Sequence, residues 1–254
     1  MKRLHSESKK GGWSGETYLV EEKGKKYVVR KCKTLKKAKH YETIEKKFGK
    51  YKILPKLIRR NKKNVIYEYI EGRDLKHNES IKIINQVGKI AAIVNKIKSK
   101  ESSKTRFNKQ LTDIKFNKEK IKVIKQIYKN LESQLKPKTT WDLNDLNSDN
   151  FRINKEGQVY FVDIEAIKSR VKLYCIGKGF MRWFKTKKEQ ENFKKGYNSI
   201  SSVKFFTDKY KDFIDFNFLI EELRYKKIYG KNYKPRTKIN TNKINPIIKK
   251  YKNE

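Results

Sequence analysis

WDLNDLNSDNFRINKEGQVYFVDIE, residues 141–165, is the stretch of this sequence that decides the fold. Within it, Asp145 is followed five residues later by Asn150. Asparagine, aspartate and serine favour turns over helix interiors, so the segment between these two residues is expected to be a loop. Apolar and polar residues alternate on each side of Gly157, which predicts two strands joined by a tight turn. The second strand is followed directly by Asp163.

A β-hairpin centred on Gly157 would bring Asp163 back beside Asn150. Carboxylate and amide oxygens suit Mg²⁺, a hard cation that binds few protein ligands together with phosphate oxygens. Asp145 would then take the proton of an attacking hydroxyl. This is the layout of a phosphoryl-transfer site, in which Mg²⁺ neutralises the phosphates of ATP. The alternative, a polar loop before an ordinary hairpin, stays open at this point.

The register of the loop is ambiguous, because the tripeptide Asp-Leu-Asn occurs twice, at residues 142–144 and 145–147. Asp142 and Asn147 therefore have the same spacing as Asp145 and Asn150. We prefer the second pair because Asn150 leads directly into the predicted strand. Asp142 is then interpreted as a supporting carboxylate that does not touch the metal.

A second candidate region is the glycine-rich segment GGWSGETYLV, residues 11–20. Glycine lets the backbone approach a ligand closely, and the segment leads into predicted strands at 17–20 and 27–32. Together they predict a hairpin with a mouth suited to covering phosphates; the alternative is a simple hairpin with a flexible lead-in. The candidate ATP-binding residues here are Gly11, Gly12, Ser14 and Gly15.

A cation over the phosphates is expected from the strand at 27–32. Arg30 is the preferred candidate and Lys31 the alternate, because strand alternation lets only one of them face the ligand. Glu42, on a helix predicted over Leu35–Phe48, would pair with that cation and fix it. The alternative for Glu42 is a surface ion pair with a lysine of its own helix.

The apolar pattern breaks at residues 71–75, after two predicted strands at 53–58 and 65–70. We place a hinge there, between a small β-rich lobe and a helical lobe. The chain from Glu68 to Ile70 would offer peptide groups to the edge of a nucleobase.

Helical periodicity dominates the sequence after this hinge. Apolar residues recur at intervals of three and four, and the predicted helices cover residues 80–98, 111–135, 176–184, 189–197 and 205–225. The sequence predicts an α+β, two-lobed fold with a small antiparallel N-terminal lobe and a larger, mostly helical C-terminal lobe. The predicted division is a basic arm at 1–10, the N-lobe at 11–72, the C-lobe at 73–225 and a basic extension at 226–254.

The charge of the chain is extreme, because 66 lysine and arginine residues stand against 28 aspartate and glutamate residues, for a net charge of +38. Such a field attracts polyanions, which makes nucleic acid or an anionic membrane surface a candidate partner. The alternative is a solvated lysine-rich surface without a partner.

Composition excludes two other classes of protein. No apolar run is long enough to span a membrane. The two cysteines, Cys32 and Cys175, are too few and too far apart for a disulfide scaffold or a zinc site. We expect a cytoplasmic protein, with a peripheral position at the inner face of the membrane as a further expectation.

In their order, these segments resemble the aminoglycoside phosphotransferase/choline kinase-like branch of the protein-kinase-like superfamily. GGWSGETYLV is similar to its phosphate loop, YVVRKC to its cation-bearing strand and VIYEYIEGRDL to its hinge. DLNSDNFRI and YFVDIEA resemble its catalytic loop and its metal-binding segment. The match spans roughly residues 10–225.

The resemblance implies a two-lobed protein-kinase-like fold with ATP and Mg²⁺ as cofactors. The acceptor would be a hydroxyl of a small molecule, sugar or lipid headgroup, anionic or neutral. This branch often has an acidic residue two positions after the metal-binding aspartate, so Glu165 joins Asn150 and Asp163 as a metal-binding candidate.

The chain departs from the family pattern at two positions. Leu143 stands where the family usually carries histidine, and the helix aspartate expected near Cys175 is missing. These departures motivate a non-enzymatic alternative, a pseudokinase that binds nucleic acid or anionic membrane. The basic tail motivates another, a protein or RNA-associated kinase. The Asp-Leu-Asn form at 145–147 is also similar to lipopolysaccharide core-sugar kinases, which act on anionic glycans.

Overall fold

The computed structural model describes residues 2–6, 15–99, 118–133, 139–201 and 208–229, together with Leu111 and Leu135. The chain divides into two compact units, each built from two separate segments. The first unit is Met1–Glu79 with Ser148–Ile167, and the second is Ser80–Asn147 with Lys168–Glu254.

A five-stranded antiparallel sheet is the main element of the first unit. Its strands are β1 (Lys2–Ser6), β2 (Gly15–Glu22), β3 (Lys25–Cys32), β4 (Leu57–Asn61) and β5 (Asn64–Glu68), in the spatial order β1-β2-β3-β5-β4. β2 and β3 pair continuously around a turn at Lys23-Gly24, where Gly24 has a φ of +72° that glycine adopts without strain. The predicted strands at 17–20 and 27–32 are therefore parts of a longer hairpin.

Two predictions for this sheet are wrong. Residues 2–6, predicted to belong to a basic N-terminal arm, form edge strand β1, which pairs with β2 through backbone bonds that a basic composition does not reveal. The strand predicted over 53–58 begins only at Leu57. Pro55 has no N–H to give to a sheet, and the carbonyl of Ile53 instead accepts the N–H of Phe161 at 2.9 Å.

Helix α1 (Leu35–Phe48) has the bounds that the sequence predicts. Thr34 begins it, because the Thr34 side-chain oxygen accepts the N–H of Lys37 at 3.3 Å. Its buried residues recur at intervals of three and four: Ala38, Tyr41, Ile44 and Phe48.

A second sheet completes the first unit, from β6 (Gly72–Asp74), β8 (Phe151–Asn154) and β9 (Val159–Phe161), in the order β6-β8-β9. β8 and β9 are the predicted hairpin, and Gly157 in its turn has a φ of +81°. The rings of Phe151 and Phe161 meet edge to face, with centroids 5.1 Å apart. The hairpin is thus tied to the segment that begins at Gly72.

The second unit is mostly helical. It contains α2 (Ile81–Lys96), α3 (Lys118–Ser133), α4 (Tyr174–Arg182), α5 (Lys187–Ile200) and α6 (Asp208–Tyr229), together with the antiparallel pair β7 (Thr139–Asp142) and β10 (Lys168–Val171). α2 and α5 pack with their backbones in close approach. A Cβ atom on Gly88 would overlap the carbonyl oxygen of Phe193, and one on Gly196 would overlap that of Asn85.

The structure divides the chain differently from the predicted boundary at residues 72 and 73. The first unit continues to Glu79 and also includes Ser148–Ile167, because β6 pairs with β8. α6 runs to Tyr229, past the predicted start of the basic extension, and the rest of that extension lies outside the described residues.

The predicted α+β class, with an antiparallel sheet first and helices after it, is confirmed. None of the helices in the described part of the chain is long and apolar enough to cross a bilayer.

Candidate active site

A cavity of about 470 Å³ lies within the first unit. Small-molecule sites occupy about 300–1,000 Å³, so this volume suits a ligand. Residues from three predicted site regions line it: Val28 and Arg30 on β3, Glu68, Tyr69 and Ile70 at and just after the end of β5, and Asn150 and Asp163 at the two ends of the β8–β9 hairpin.

Strand alternation separates the two candidate cations. Val28 and Arg30 are two residues apart on β3 and both line the cavity, because alternate residues of a strand point to the same face. Lys31 belongs to the opposite face and is exposed. The geometry therefore favours Arg30 as the cation that would contact phosphates.

Arg30 is held by charged and aromatic neighbours. Its Nη2 lies 3.0 Å from Oε2 of Glu165, and its side chain also forms a hydrogen bond with Tyr67, whose pKa burial raises to about 12. Burial alone would lower the pKa of Arg30, but its neighbours, Tyr41 and Glu165 foremost, raise it above the ordinary value. The cavity wall thus carries a permanent, oriented positive charge.

The predicted partner of this cation is wrong. Glu42 pairs with Arg60 of β4, with 2.8 Å between Glu42 Oε1 and Arg60 Nε. Glu165 takes the place beside Arg30 that the sequence assigns to Glu42. The cause is the position of α1, which contacts β4 as well as β3. Arg60 on β4 therefore comes within reach of Glu42 on α1. The proposed metal binding by Glu165 stays a prediction, since its carboxylate is engaged with Arg30.

Glu68, the last residue of β5, and the two residues after it line the cavity. The N–H of Glu68 is occupied, because it donates to the Lys56 carbonyl at 2.9 Å. The pairing of β5 with β3 ends at Glu68, so Tyr69 and Ile70 follow the last paired residue of the strand. These two residues are therefore the better candidates for bonding a nucleobase edge.

Arg152 is a cavity residue that the sequence prediction missed. Its guanidinium lies 5.1 Å from the ring centroid of Tyr69 and donates to the carbonyl of Gly72 at 2.8 Å. Its Nη1 also lies 3.1 Å from Oδ1 of Asp74. The alternation Phe-Arg-Ile in β8 indicates that Arg152 points away from the core side of the strand, but gives no sign of what it meets there.

The two predicted metal ligands come together at the ends of the hairpin. The N–H of Val162 donates to the carbonyl of Asn150 at 2.9 Å, which brings the following residue, Asp163, beside Asn150. No group of three or more His, Cys, Asp or Glu side chains among the described residues is arranged to hold a metal. One amide and one carboxylate fit Mg²⁺, which binds few protein ligands and takes its other oxygens from phosphates and water.

Asp145 lies in the second unit, in the loop that follows β7. Its N–H donates to the carbonyl of Leu143 at 2.7 Å, and its own carbonyl accepts the N–H of Asn147 at 3.1 Å. The residue is half-buried. Its role as proton acceptor stays a prediction.

The alternative register conflicts with the position of Asp142, which is fully buried at the end of β7. Its carboxylate accepts the N–H groups of Asn144 at 2.7 Å and Cys175 at 3.3 Å, and the side-chain amide of Asn95 at 3.2 Å. A carboxylate enclosed by donors in this way cannot meet a substrate. The geometry therefore favours Asp145, and Asp142 has the supporting position that the sequence suggests.

Most of the glycine-rich segment lies outside the described residues. Gly11, Gly12 and Ser14 lie outside the described residues, so their contact with phosphates stays a prediction. Gly15 is the first residue of β2, where it pairs with Cys32 of β3.

No family model and no curated protein matches the chain. Solved structures match it over nearly its whole length. The choline kinase LicA from Streptococcus pneumoniae is 17% identical, with a TM-score of 0.59 over 98% of this chain and 93% of LicA. An ethanolamine kinase from Plasmodium vivax is 14% identical, with a TM-score of 0.63 over 94% of this chain and 79% of that kinase. The macrolide 2'-phosphotransferase MphH from Brachybacterium faecium is 10% identical, with a TM-score of 0.65 over 89% of this chain and 86% of MphH.

Identities this low show a likeness of fold. The predicted resemblance to the aminoglycoside phosphotransferase/choline kinase-like branch is confirmed at that level, whereas the similarity to lipopolysaccharide core-sugar kinases stays a prediction. The chain has the two-lobed, protein-kinase-like α+β fold in the form that choline kinases, ethanolamine kinases and antibiotic phosphotransferases share.

Proposed function

We propose that the chain is an ATP- and Mg²⁺-dependent phosphotransferase that transfers the γ-phosphate to a hydroxyl of a small molecule. The acceptor we propose is a sugar or lipid headgroup, anionic or neutral. One observation carries the proposal: a single cavity is lined by Arg30, Asn150 and Asp163 together with Tyr69 and Ile70. LicA, which has the same fold, has also been solved in complex with AMP.

Each residue would have a separate task. Arg30 would bind the phosphates, and Asn150 and Asp163 would hold Mg²⁺, which when bound neutralises charge on the phosphates. Asp145 would accept the proton of the attacking hydroxyl. Phosphoryl transfer depends mostly on positioning and charge stabilisation, so a few fixed side chains suffice for the reaction.

The test is a screen for phosphate transfer from γ-labelled ATP to sugars, amino alcohols, nucleosides and glycolipid headgroups. We expect one acceptor class to be labelled, and EDTA to abolish the labelling. Mg-ATP should also raise the melting temperature, because a ligand that binds only the folded state stabilises it. If Mg-ATP does not change the melting temperature and no acceptor is labelled, the proposal fails and the non-enzymatic alternative is favoured.

Two substitutions separate binding from chemistry. Asp163→Ala should reduce Mg-ATP turnover at least about 100-fold, the scale on which a single electrostatic group acts. Asp145→Asn should reduce transfer by about 10²–10⁴-fold, the range for a general base, with ATP binding retained. Steady-state kinetics and ATP titration measure both effects.

Glu156→Gln provides a matched control, because Glu156 is an exposed acid in the turn of the same hairpin. Its turnover should stay within about twofold of the wild-type value, as expected for a surface substitution. Full activity in Asp163→Ala would remove the metal assignment.

A further inference from the structure

A buried polar network lies behind the loop that carries Asp145, entirely within the second unit. The hydroxyl of Tyr197 donates to Asn95 Oδ1 at 3.1 Å, and Asn95 Nδ2 donates to Asp142 Oδ2 at 3.2 Å. Tyr197 and Asn95 are 1% exposed and Asp142 is 0% exposed. Burial raises the pKa of Asp142, and the hydrogen bonds it accepts oppose that effect. A carboxylate at this depth is costly unless such donors surround it.

Two of these donors are backbone groups that shape the loop. Asp142 accepts the N–H of Asn144 at 2.7 Å and the N–H of Cys175, near the start of α4, at 3.3 Å. Asn144 has a φ of +61°, a left-handed conformation that asparagine adopts more readily than most other non-glycine residues. The Asn144 side chain also accepts Nε of Arg170 at 2.8 Å. Asn144 is thus fixed through its backbone and its side chain, one residue before Asp145.

The two departures from the family pattern meet at this carboxylate. The thiol of Cys175 bonds to Asp142 and to the backbone of Leu143, and burial raises the pKa of that thiol well above its ordinary value. Cys175 is therefore a neutral donor, and Asp142 supplies a carboxylate to which the loop and the start of α4 both bond.

We propose that Asp142 is a positioning residue, which holds the loop so that Asp145 meets the acceptor hydroxyl. It does so by accepting the N–H groups of Asn144 and Cys175 from the buried side of the loop. The part played by Asp145 rests on the proposed function, whereas the ordering of the loop does not.

The main test is Asp142→Asn, which keeps the shape of the side chain but replaces one acceptor oxygen with an NH₂ donor. Because donors converge on both oxygens of Asp142, at least one of them must lose its partner. We expect kcat to fall about 10–100-fold, with the dissociation constant for ATP changed less than about twofold. ATP binding should be spared because the cavity residues belong to the first unit.

Asn217→Leu is the control for general loss of stability. Asn217 is buried in α6, where its side chain donates to the Phe213 carbonyl of its own helix at 3.0 Å. This variant should melt at a lower temperature and keep the wild-type kcat. A parallel fall of kcat and ATP affinity in Asp142→Asn would indicate general disruption and overturn the proposal.

Hydrogen exchange provides a readout that needs no activity. In the wild-type protein the amides of Asn144 and Cys175 should be protected, and Asp142→Asn should speed exchange in residues 140–147 tenfold or more, with residues 150–163 unchanged. An unprotected Asn144 amide in the wild-type protein overturns the proposal without any variant, and so does unchanged exchange or unchanged kcat in Asp142→Asn. Faster exchange together with a wild-type protein that transfers no phosphate would support the ordering of the loop and contradict the proposed function.

Discussion

Arg30 supplies a fixed positive charge to the cavity, and Glu165 determines how that charge is oriented. The two side chains are largely shielded, at 15% and 24% exposed, so the pair is less screened than a surface ion pair. Glu165 follows Asp163 by two residues, in the 3₁₀ turn Ile164–Ala166. One short turn therefore positions both the partner of the cation and a candidate metal ligand.

Replacing Glu165 by Gln should weaken ATP binding. The change removes the charge and keeps the shape, so Arg30 loses its ionic partner and its fixed direction. We expect the KM for ATP to rise about tenfold, equivalent to about 1.4 kcal/mol. Glu42→Gln is the matched control and should change that KM less than about twofold, since Glu42 pairs with Arg60. If the control had the larger effect, the helix glutamate would be the working partner of Arg30.

The positions of some site residues could be predicted from the sequence, whereas the contact partners of others could not. Arg30 could be predicted because strand alternation sets its face, and Asn150 and Asp163 because a turn between two strands brings them together. The partner of Arg30 could not be predicted, because helical periodicity says which face of α1 is buried but not which cation Glu42 reaches. The contacts of Arg152 with Tyr69 and Asp74 likewise depend on tertiary packing that no local pattern records.

At the scale of elements, the closest packing occurs between α2 and α5. Gly88 and Gly196 let the two helix backbones approach each other, because neither position has room for a Cβ atom. The contact joins residues more than a hundred positions apart in the chain, so it is a long-range element of the second unit. Glycine in a helix interior otherwise costs about 1 kcal/mol relative to alanine.

Gly88→Ala should destabilise the protein despite the better helix propensity of alanine. The added methyl group must push against the Phe193 carbonyl, and overpacking of this kind costs about 1–3 kcal/mol. The melting temperature should fall by several degrees, at about 2–4 °C per kcal/mol for a chain of this size. Lys89→Ala is the control, because Lys89 is the exposed neighbour on the same helix and should leave stability nearly unchanged. A more stable Gly88→Ala protein would show that the helices are further apart.

Elements with a strong periodic pattern are those that the sequence predicts well. α1 has its predicted bounds, and α2 (Ile81–Lys96) falls within the predicted 80–98. β1 could not be predicted, because Lys2–Ser6 has no apolar alternation and is a strand only through its pairing with β2. The shift of β4 arises from Pro55 and from a backbone bond to β9, which lies a hundred residues further along the chain.

For the whole molecule, the net charge of +38 is the dominant long-range property. Self-repulsion of this size opposes the compact state, and salt screens it, with a Debye length of about 10 Å at 0.1 M and about 3 Å at 1 M. We expect the melting temperature to rise by several degrees between about 20 mM and 500 mM NaCl. A constant melting temperature over that range would mean that the charges are already compensated.

An experiment at constant ionic strength can separate the screening of the protein's own charges from the binding of a polyanion. A short polyphosphate added at constant ionic strength should stabilise the protein only if a polyanion site exists on its surface. The proposed association with nucleic acid or with the inner face of a membrane depends on such a site. Without stabilisation, the basic surface is the solvated one that composition alone allows.

The arrangement of the first unit from two segments has a consequence for how the protein is made. A ribosome releases the strands up to Glu79 and must then translate the whole of Ser80–Asn147 before the β8–β9 hairpin emerges. At about 5–20 residues per second, this delay lasts roughly 3–14 s. During that time the first strands are present without Phe161, whose N–H bonds to the carbonyl of Ile53. Asn150 and Asp163, which line the cavity, are also still missing. The first unit can therefore complete its second sheet and its cavity only after the hairpin has left the exit tunnel.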